Sequence, residues 1–298
     1  MIGVDVGGTK VRAAVVSGEG AIEAQVEHPT DHSSEEALLG ALDGAIDELL
    51  RGGDVAALGF GLPSRIDRRT GRAVASVNIP LDGVDFRDLM RARHGLPVAI
   101  DNDGTAAAIA EWRAGAARGS DHVVMLTLGT GVGGGLILDG TPYRGATGSG
   151  GELGHIVLDP EGPPCGCGGR GHLESFAAGP AADRAARELY GASSDAHELV
   201  ERARGGAGEA VEALAGIGRY LGAGIASLVN VFEPEVVVVG GGFGEAGDLL
   251  LAPAREVLAT QGLEPARDTA RVVPAELGSD AGVIGAGLIA FEALAPGA

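Results

Sequence analysis

Two stretches of this chain repeat one pattern: an apolar run, a glycine turn and a second apolar run. The first is "MIGVDVGGTKVRAAVV" at residues 1–16 and the second is "HVVMLTLGTGVGGGLILDG" at 122–140. Each reads as two short strands joined by a tight turn, and the recurrence suggests an internal duplication. Further strands are expected at 21–27, 55–63, 96–103 and 235–240. Helical spacing of apolar residues appears at 34–50, behind a Ser cap, and at 104–117, 211–232 and 281–294. Strands alternating with helices indicate an α/β architecture. The small, polar stretch "RAGAARGSD" at 113–121 is the expected boundary. It divides a first lobe, 1–117, from a second, 118–298. The terminal helix, about 281–294, is expected to pack back on the first lobe.

Composition narrows the function classes. The formal charge is -19 over 298 residues and the pI is about 4.7. No Lys/Arg cluster offers the basic face that a nucleic-acid partner requires. No basic n-region precedes the first strand, and the uncharged stretch 123–138 is broken by glycine and threonine, so neither a signal peptide nor a membrane span is expected. The two cysteines, Cys165 and Cys167, are one residue apart. A disulfide there would be strained, so the chain reads as a cytoplasmic protein with reduced thiols.

In "DVGGTK", Asp5 ends an apolar strand, where a carboxylate is costly unless it is paired or close to a metal. Gly7 and Gly8 let backbone N–H groups turn toward an anion. Thr9 adds a hydroxyl, and Lys10 adds the ammonium of the chain's sole lysine. The combination reads as a phosphate cradle with Asp5 holding Mg²⁺ through water; a plain hairpin turn would also account for the glycines. Thr130, Gly131 and Gly133 repeat the cradle on the second hairpin. Gly241 and Gly242, in a third glycine run, either admit an adenosine against bare backbone or mark a close packing turn.

These motifs together resemble the ROK family of sugar kinases: "DVGGTK", "DND" at 101–103, "LGTGVGGGL", "GELGH" at 151–155, "CGCGGRGHLE" at 165–174 and "VVGGG" at 238–242. The stretch "LPSRIDRRTGRAVASVNIPL" resembles the family's bacterial glucokinases. The resemblance implies a two-lobed fold of the actin/hexokinase-like ATPase kind, with duplicated ribonuclease H-like domains. It implies ATP-dependent phosphorylation of a hexose at its primary hydroxyl, with glucose as the leading substrate. Asp103 takes the general-base role. Asn78, Asn102, Asp103, Glu152, His155 and Glu174 become the sugar contacts. Asp101, two residues from Asp103, would share a face with it on a continuing strand, or cap the following helix, which is the reading preferred here. A homodimer or homotetramer is implied as well.

His155, Cys165, Cys167 and His172 are four ligands suited to a closed, structural zinc site, against the alternative of a metal-free loop. His155 would bind zinc with one nitrogen and face the sugar with the other. The family usually has a cysteine at the position of His172. Two further departures are Gly104-Thr105, which would loosen the start of its helix by ~1 kcal/mol, and Ser64 in a loop near the sugar. Other sugars (fructose, mannose, N-acetylglucosamine, N-acetylmannosamine) and polyphosphate as donor fit the same motifs. ROK relatives also include sugar-responsive repressors, whose DNA-binding domain precedes the sugar-binding part. Here the first motif starts at residue 3, and a non-catalytic sugar sensor is the rival reading from another class.

Overall fold

The computed structural model describes residues 1–76 and 78–294; residues 295–298 of the expected second lobe lie outside them. The first sheet is built from β1 (Ile2–Val6), β2 (Lys10–Val16), β3 (Ile22–Pro29), β4 (Leu58–Leu62) and, after the short β5 (Ser64–Asp67) and β6 (Arg72–Ser76) ribbon, β7 (Val98–Asn102). Its order is β3-β2-β1-β4-β7. The second sheet comprises β8 (Val123–Leu128), β9 (Val132–Leu138), β10 (Thr141–Tyr143), β11 (Val236–Gly240) and β12 (Arg271–Pro274), in the order β10-β9-β8-β11-β12. The first three strands of each sheet are antiparallel and the last two join in parallel. The two sheets therefore share one topology, as the repeated hairpins suggest.

Helix α1 (Glu35–Leu50) begins where the sequence places it: the Ser34 hydroxyl accepts the Ala37 N–H at 3.1 Å. Helix α2 (Phe86–His94) precedes β7, and α3 (Asp103–Ala114) follows it. On the second lobe, α4 (Leu173–Ala177), α5 (Gly179–Tyr190), α6 (Ala196–Arg204), the long α7 (Gly208–Phe232), α8 (Asp248–Gln261) and α9 (Ala266–Thr269) cover one face. Helix α10 (Ala281–Ala290) comes last, and residues 291–294 tighten into a 3₁₀ turn. By length and composition α7 could cross a membrane, but 56% of its apolar window is buried within the protein, against α8 and the second core.

Three apolar clusters hold the layers. One lies under α1 and α2 on the first sheet, one under α4–α8 on the second, and a third lies between the sheets. The middle cluster is made by α3 and α10, each of which crosses over. Helix α3, leaving the first sheet, lies on β9; α10, leaving the second, lies on β1 and β4. Backbone comes very close there. A Cβ at Gly59 would collide with the Ala286 carbonyl, and one at Gly285 with that of Ala106. The expected return of the last helix to the first lobe is thus a helix swap.

Candidate active site

The glycine turns lie at the carboxyl ends of β1 and β8, where open α/β sheets hold ligands. In the first turn, Gly7 N–H donates to Lys10 O at 3.0 Å. The Thr30 hydroxyl donates to Gly7 O at 2.9 Å, and His32 Nε2 meets Gly8 O at 2.5 Å. A trans peptide holds its C=O and N–H in opposite directions. With both carbonyls engaged by Thr30 and His32, the N–H groups of Gly8 and Thr9 face the other way, as a cradle needs. Neither Thr30 nor His32 stands out in the sequence. The exposed ammonium of Lys10 pairs with Glu27 of β3 at 2.7 Å. Arg12, on the same face of β2, sits opposite Asp5 in the ladder and reaches Asp280 at 2.5 Å. A period-two reading of β2 could have found it.

Asp5 is pushed up to about 7, first by burial, then by the charge of Asp103, with Arg12 opposing. Its carboxylate fits against the first turn of α10 because residue 282 is glycine; a Cβ there would stand 2.5 Å from Asp5 Oδ2. Gly61 marks where the two acids converge: a Cβ there would lie 3.9 Å from Asp5 Oδ1 and 3.8 Å from the Cα of Asp103.

The strand β7 stops at Asn102, and Asp103 opens α3. Asp101 and Asp103 therefore do not share a strand face, and Asp101 is not the cap. Asn102 is: its Oδ1 accepts from Gly104 N at 2.9 Å and Thr105 N at 3.2 Å, and its Nδ2 reaches Ser64 O at 3.4 Å. Asp101 is buried and bonds Arg144 Nε at 2.5 Å, a partner that sequence spacing could not supply. Asp103 is raised to about 6 by burial foremost, with the charge of Glu152 adding to it. Gly104 has a packing role that its sequence position does not reveal. A Cβ there would lie 2.6 Å from Gly134 N, so glycine is what lets α3 meet β9.

Glu152 and His155 follow the 144–151 loop, and Glu152 is close enough to Asp103 to act on its charge. His155 Nε2 lies 3.9 Å from Glu152 Oε2, while its Nδ1 turns to the cysteines. Glu174 is engaged elsewhere: Oε2 accepts Val132 N–H at 3.0 Å and Oε1 accepts from Cys165 Sγ at 3.3 Å. It braces the second glycine turn against the cysteine loop. Asn78 is exposed on the bend after β6 and makes no side-chain hydrogen bond among the described residues.

The four Cys/His ligand atoms lie within 4.8 Å of one another. His155 Nδ1 is 3.3 Å from His172 Nδ1, Cys165 Sγ 3.7 Å from His155 Nδ1, and Cys167 Sγ 3.3 Å from His172 Nδ1. A zinc tetrahedron with bonds of ~2.0 Å to nitrogen and ~2.3 Å to sulfur sets ligand separations of roughly 3.3–3.8 Å. The donor set and its spacing fit zinc, and the imidazole of His172 reaches the position through its near nitrogen. Both thiols are free. Burial pushes Cys165 up to about 11, so a cation's charge is needed to make it a thiolate at neutral pH.

A cleft of about 430 Å³ opens at the ends of β8 and β11, beside Thr130, Gly179, Asp183, His197, Arg204 and Gly242. The residues of the third glycine run differ in their surroundings. Gly241 has φ +81° and its Cβ would collide with Leu128 O, a packing turn; Gly242 has open space and lines the cleft with bare backbone. Gly131 and Gly133 serve packing as well, against Glu174 Oε2 and Thr127 Oγ1. A larger cavity, about 570 Å³ around His122 and Arg271, lies at the opposite ends of the strands, away from both turns.

Comparison with known proteins follows this geometry. A family profile described as ROK family matches residues 1–293. The chain is 35% identical to a glucokinase of Streptomyces coelicolor, covering 98% of this chain and 97% of that one. It superimposes with a TM-score of 0.87 on a ROK family glucokinase from Streptomyces griseus in complex with glucose and AMPPNP, at 35% identity over 98% and 99% of the two chains. A ROK family transcriptional regulator, a homologue of an E. coli protein, gives a TM-score of 0.89 at 26% identity, over 99% of this chain and 78% of the regulator.

Proposed function

The chain belongs to the ROK family of the actin-like ATPase fold, and we propose that it is the family's kind of glucokinase, transferring the γ-phosphoryl group of ATP to the primary hydroxyl of D-glucose. One observation carries the reading. Asp103, raised to about 6, heads a helix packed against β9 and α10, with Asp5 beside it and Glu152 close enough to act on its charge. A base of that pKa is ionised at neutral pH and still accepts a proton readily. Phosphoryl transfer otherwise needs positioning and charge neutralisation.

Glucose lies between Asn102–Asp103 and the Glu152–His155 segment, with Asn78 and Glu174 at its margin. Asp103 takes the proton of the attacking hydroxyl. The backbone of Gly7–Thr9, with Lys10 near its end, and the backbone of Thr130–Gly133 hold the phosphates from two sides. Adenosine occupies the cleft along Gly241 and Gly242. Mg²⁺, held through water at Asp5, supplies neutralisation of the terminal phosphates; a cation there offsets the repulsion between Asp5 and Asp103. His155, Cys165, Cys167 and His172 hold a structural zinc that fixes the loop behind the sugar. The lobes divide at 117/118, and their closure excludes water. We place the enzyme in the cytoplasm as a homodimer or homotetramer.

The test is a coupled assay with Mg²⁺-ATP over glucose, fructose, mannose, N-acetylglucosamine and N-acetylmannosamine at equal concentration. Glucose is expected to give the highest kcat/KM. A higher value for another sugar reassigns the substrate. Glucose binding without turnover for any sugar, with polyphosphate also inactive, identifies a sensor of the kind the regulator's fold represents.

A further inference from the structure

An ion-pair chain, buried at one end and half-exposed at the other, joins four separate segments next to the proposed sugar pocket. The guanidinium of Arg144 donates through Nε to Asp101 Oδ2 at 2.5 Å and through Nη2 to Glu292 Oε1 at 2.7 Å. The other oxygen of Glu292 accepts from Arg68 Nη2 at 2.7 Å. The other oxygen of Asp101 accepts the N–H of Asn102 at 3.0 Å. Asp101 is fully buried and the Arg144 side chain is 10% exposed, whereas Glu292 and Arg68 are 37% and 38% exposed. Arg144 stands at the start of the 144–151 loop from the second lobe; all its partners lie on the first sheet or on the turn that ends α10. The loop is docked a second time, where Arg68 N–H donates to Thr147 O at 3.2 Å.

The geometry points to Arg144 as the positioning residue of the sugar half of the site. Its guanidinium fixes the loop that leads to Glu152 and His155 onto the strand end that leads to Asn102 and Asp103. The two groups of sugar contacts come from different lobes, and no covalent path shorter than forty residues joins Asp103 to the loop's start. Their separation is set where the side chains lock. The arginine fork suits this: planar and always charged, it engages two carboxylates at once, which a lysine ammonium on a flexible stem does not do in fixed geometry. The nucleotide cleft shares none of these residues.

This inference rests on the sugar-site reading above, so its test uses binding and does not need turnover. Calorimetry would measure glucose and AMPPNP, a non-hydrolysable ATP analogue, on wild type, Arg144→Met, Arg144→Lys and Glu292→Gln. Arg144→Met is expected to weaken glucose at least 10-fold and leave AMPPNP within 2-fold. Arg144→Lys should recover part of the loss, and Glu292→Gln, which keeps the Asp101 contact, should weaken glucose about 3-fold. Parallel weakening of both ligands, or unchanged glucose affinity, overturns the assignment and leaves Arg144 a stability element only. If Arg144→Met does not fold, Glu292→Gln and Arg68→Met, at half-exposed positions, read the same ratio. A wild type that binds both ligands without turnover counts against the kinase reading alone. A wild type that prefers another sugar changes the ligand titrated, not the ratio.

Discussion

The two hairpins share one backbone and differ in what they carry. Register aligns Asp5, Arg12, Ala13 and Ala14 of the first with Thr127, Gly133, Gly134 and Gly135 of the second. The first holds an acid and a guanidinium face to face; the second holds a hydroxyl against bare backbone. Space explains the glycines. Helix α3 lies directly on β9, where a Cβ at Gly135 would stand 2.6 Å from that of Ala108. On the first sheet the same close approach is provided by glycines of β1, β4 and α10, so β2 is free to carry side chains. The duplicated scaffold thus differs in side chains: the strands of the first hairpin carry opposed charges, and those of the second leave room for a helix.

The sharpest way to test that division is the acid the charged half serves. Asp103→Asn should lose 10²–10⁴ of turnover in the coupled assay while still binding glucose. With Asp103 at about 6, wild-type kcat/KM should fall tenfold per unit below that pH. Burial raises the folded-state pKa above the usual carboxylate value, so the ionised acid weakens the fold above about pH 6. Asp103→Asn should therefore raise Tm at pH 8 and leave it unchanged at pH 4. Next in size is Cys167→Ala, which removes one of the four proposed zinc ligands from the loop that Glu174 ties to Val132. Zinc content should fall from one equivalent to well below it, with a lower Tm; full retention of zinc would reject the four-ligand site. Gly135→Ala should cost about 1–3 kcal/mol in denaturant unfolding, from overpacking against α3, with KM for ATP little changed. An unaffected variant would show that the glycine run is not there for helix approach. The smallest effect is expected at Lys10. Paired with Glu27 at an exposed site, Lys10→Ala should raise KM for ATP by no more than about 10-fold and leave glucose affinity alone. A larger rise would mean that Lys10 leaves Glu27 for the phosphates, returning charge work to the turn itself.

Much of this was legible along the chain. Local patterns reveal what neighbouring residues do together: the Ser34 cap of α1, the duplicated strand–glycine–strand units, and a Cys/His set confined to 155–172. The suggested duplication agrees with two sheets of the same strand order. Errors fell where a residue's partner is distant. Asp101 looked like a helix cap because its neighbours in sequence suggest one, yet Asn102 caps α3 and Asp101 answers Arg144, forty-three residues away. The pairing of Lys10 with Glu27 of β3 and the contact of Gly104 with β9 were likewise out of reach of neighbouring residues.

What the amino-acid sequence determined by itself is the chemistry available: acids at strand ends, two glycine turns, a soft-ligand cluster, and the absence of a basic face. These follow from residue type and short spacing, which chain connectivity enforces before any folding. What only the tertiary structure decided is which charges meet. Pairing across the sheets depends on the crossover of α3 and α10 and on a loop reaching from one lobe to the other. Burial then acts on that proximity: removing water is what raises Asp103 to about 6, and it shields the Asp101–Arg144 pair from solvent.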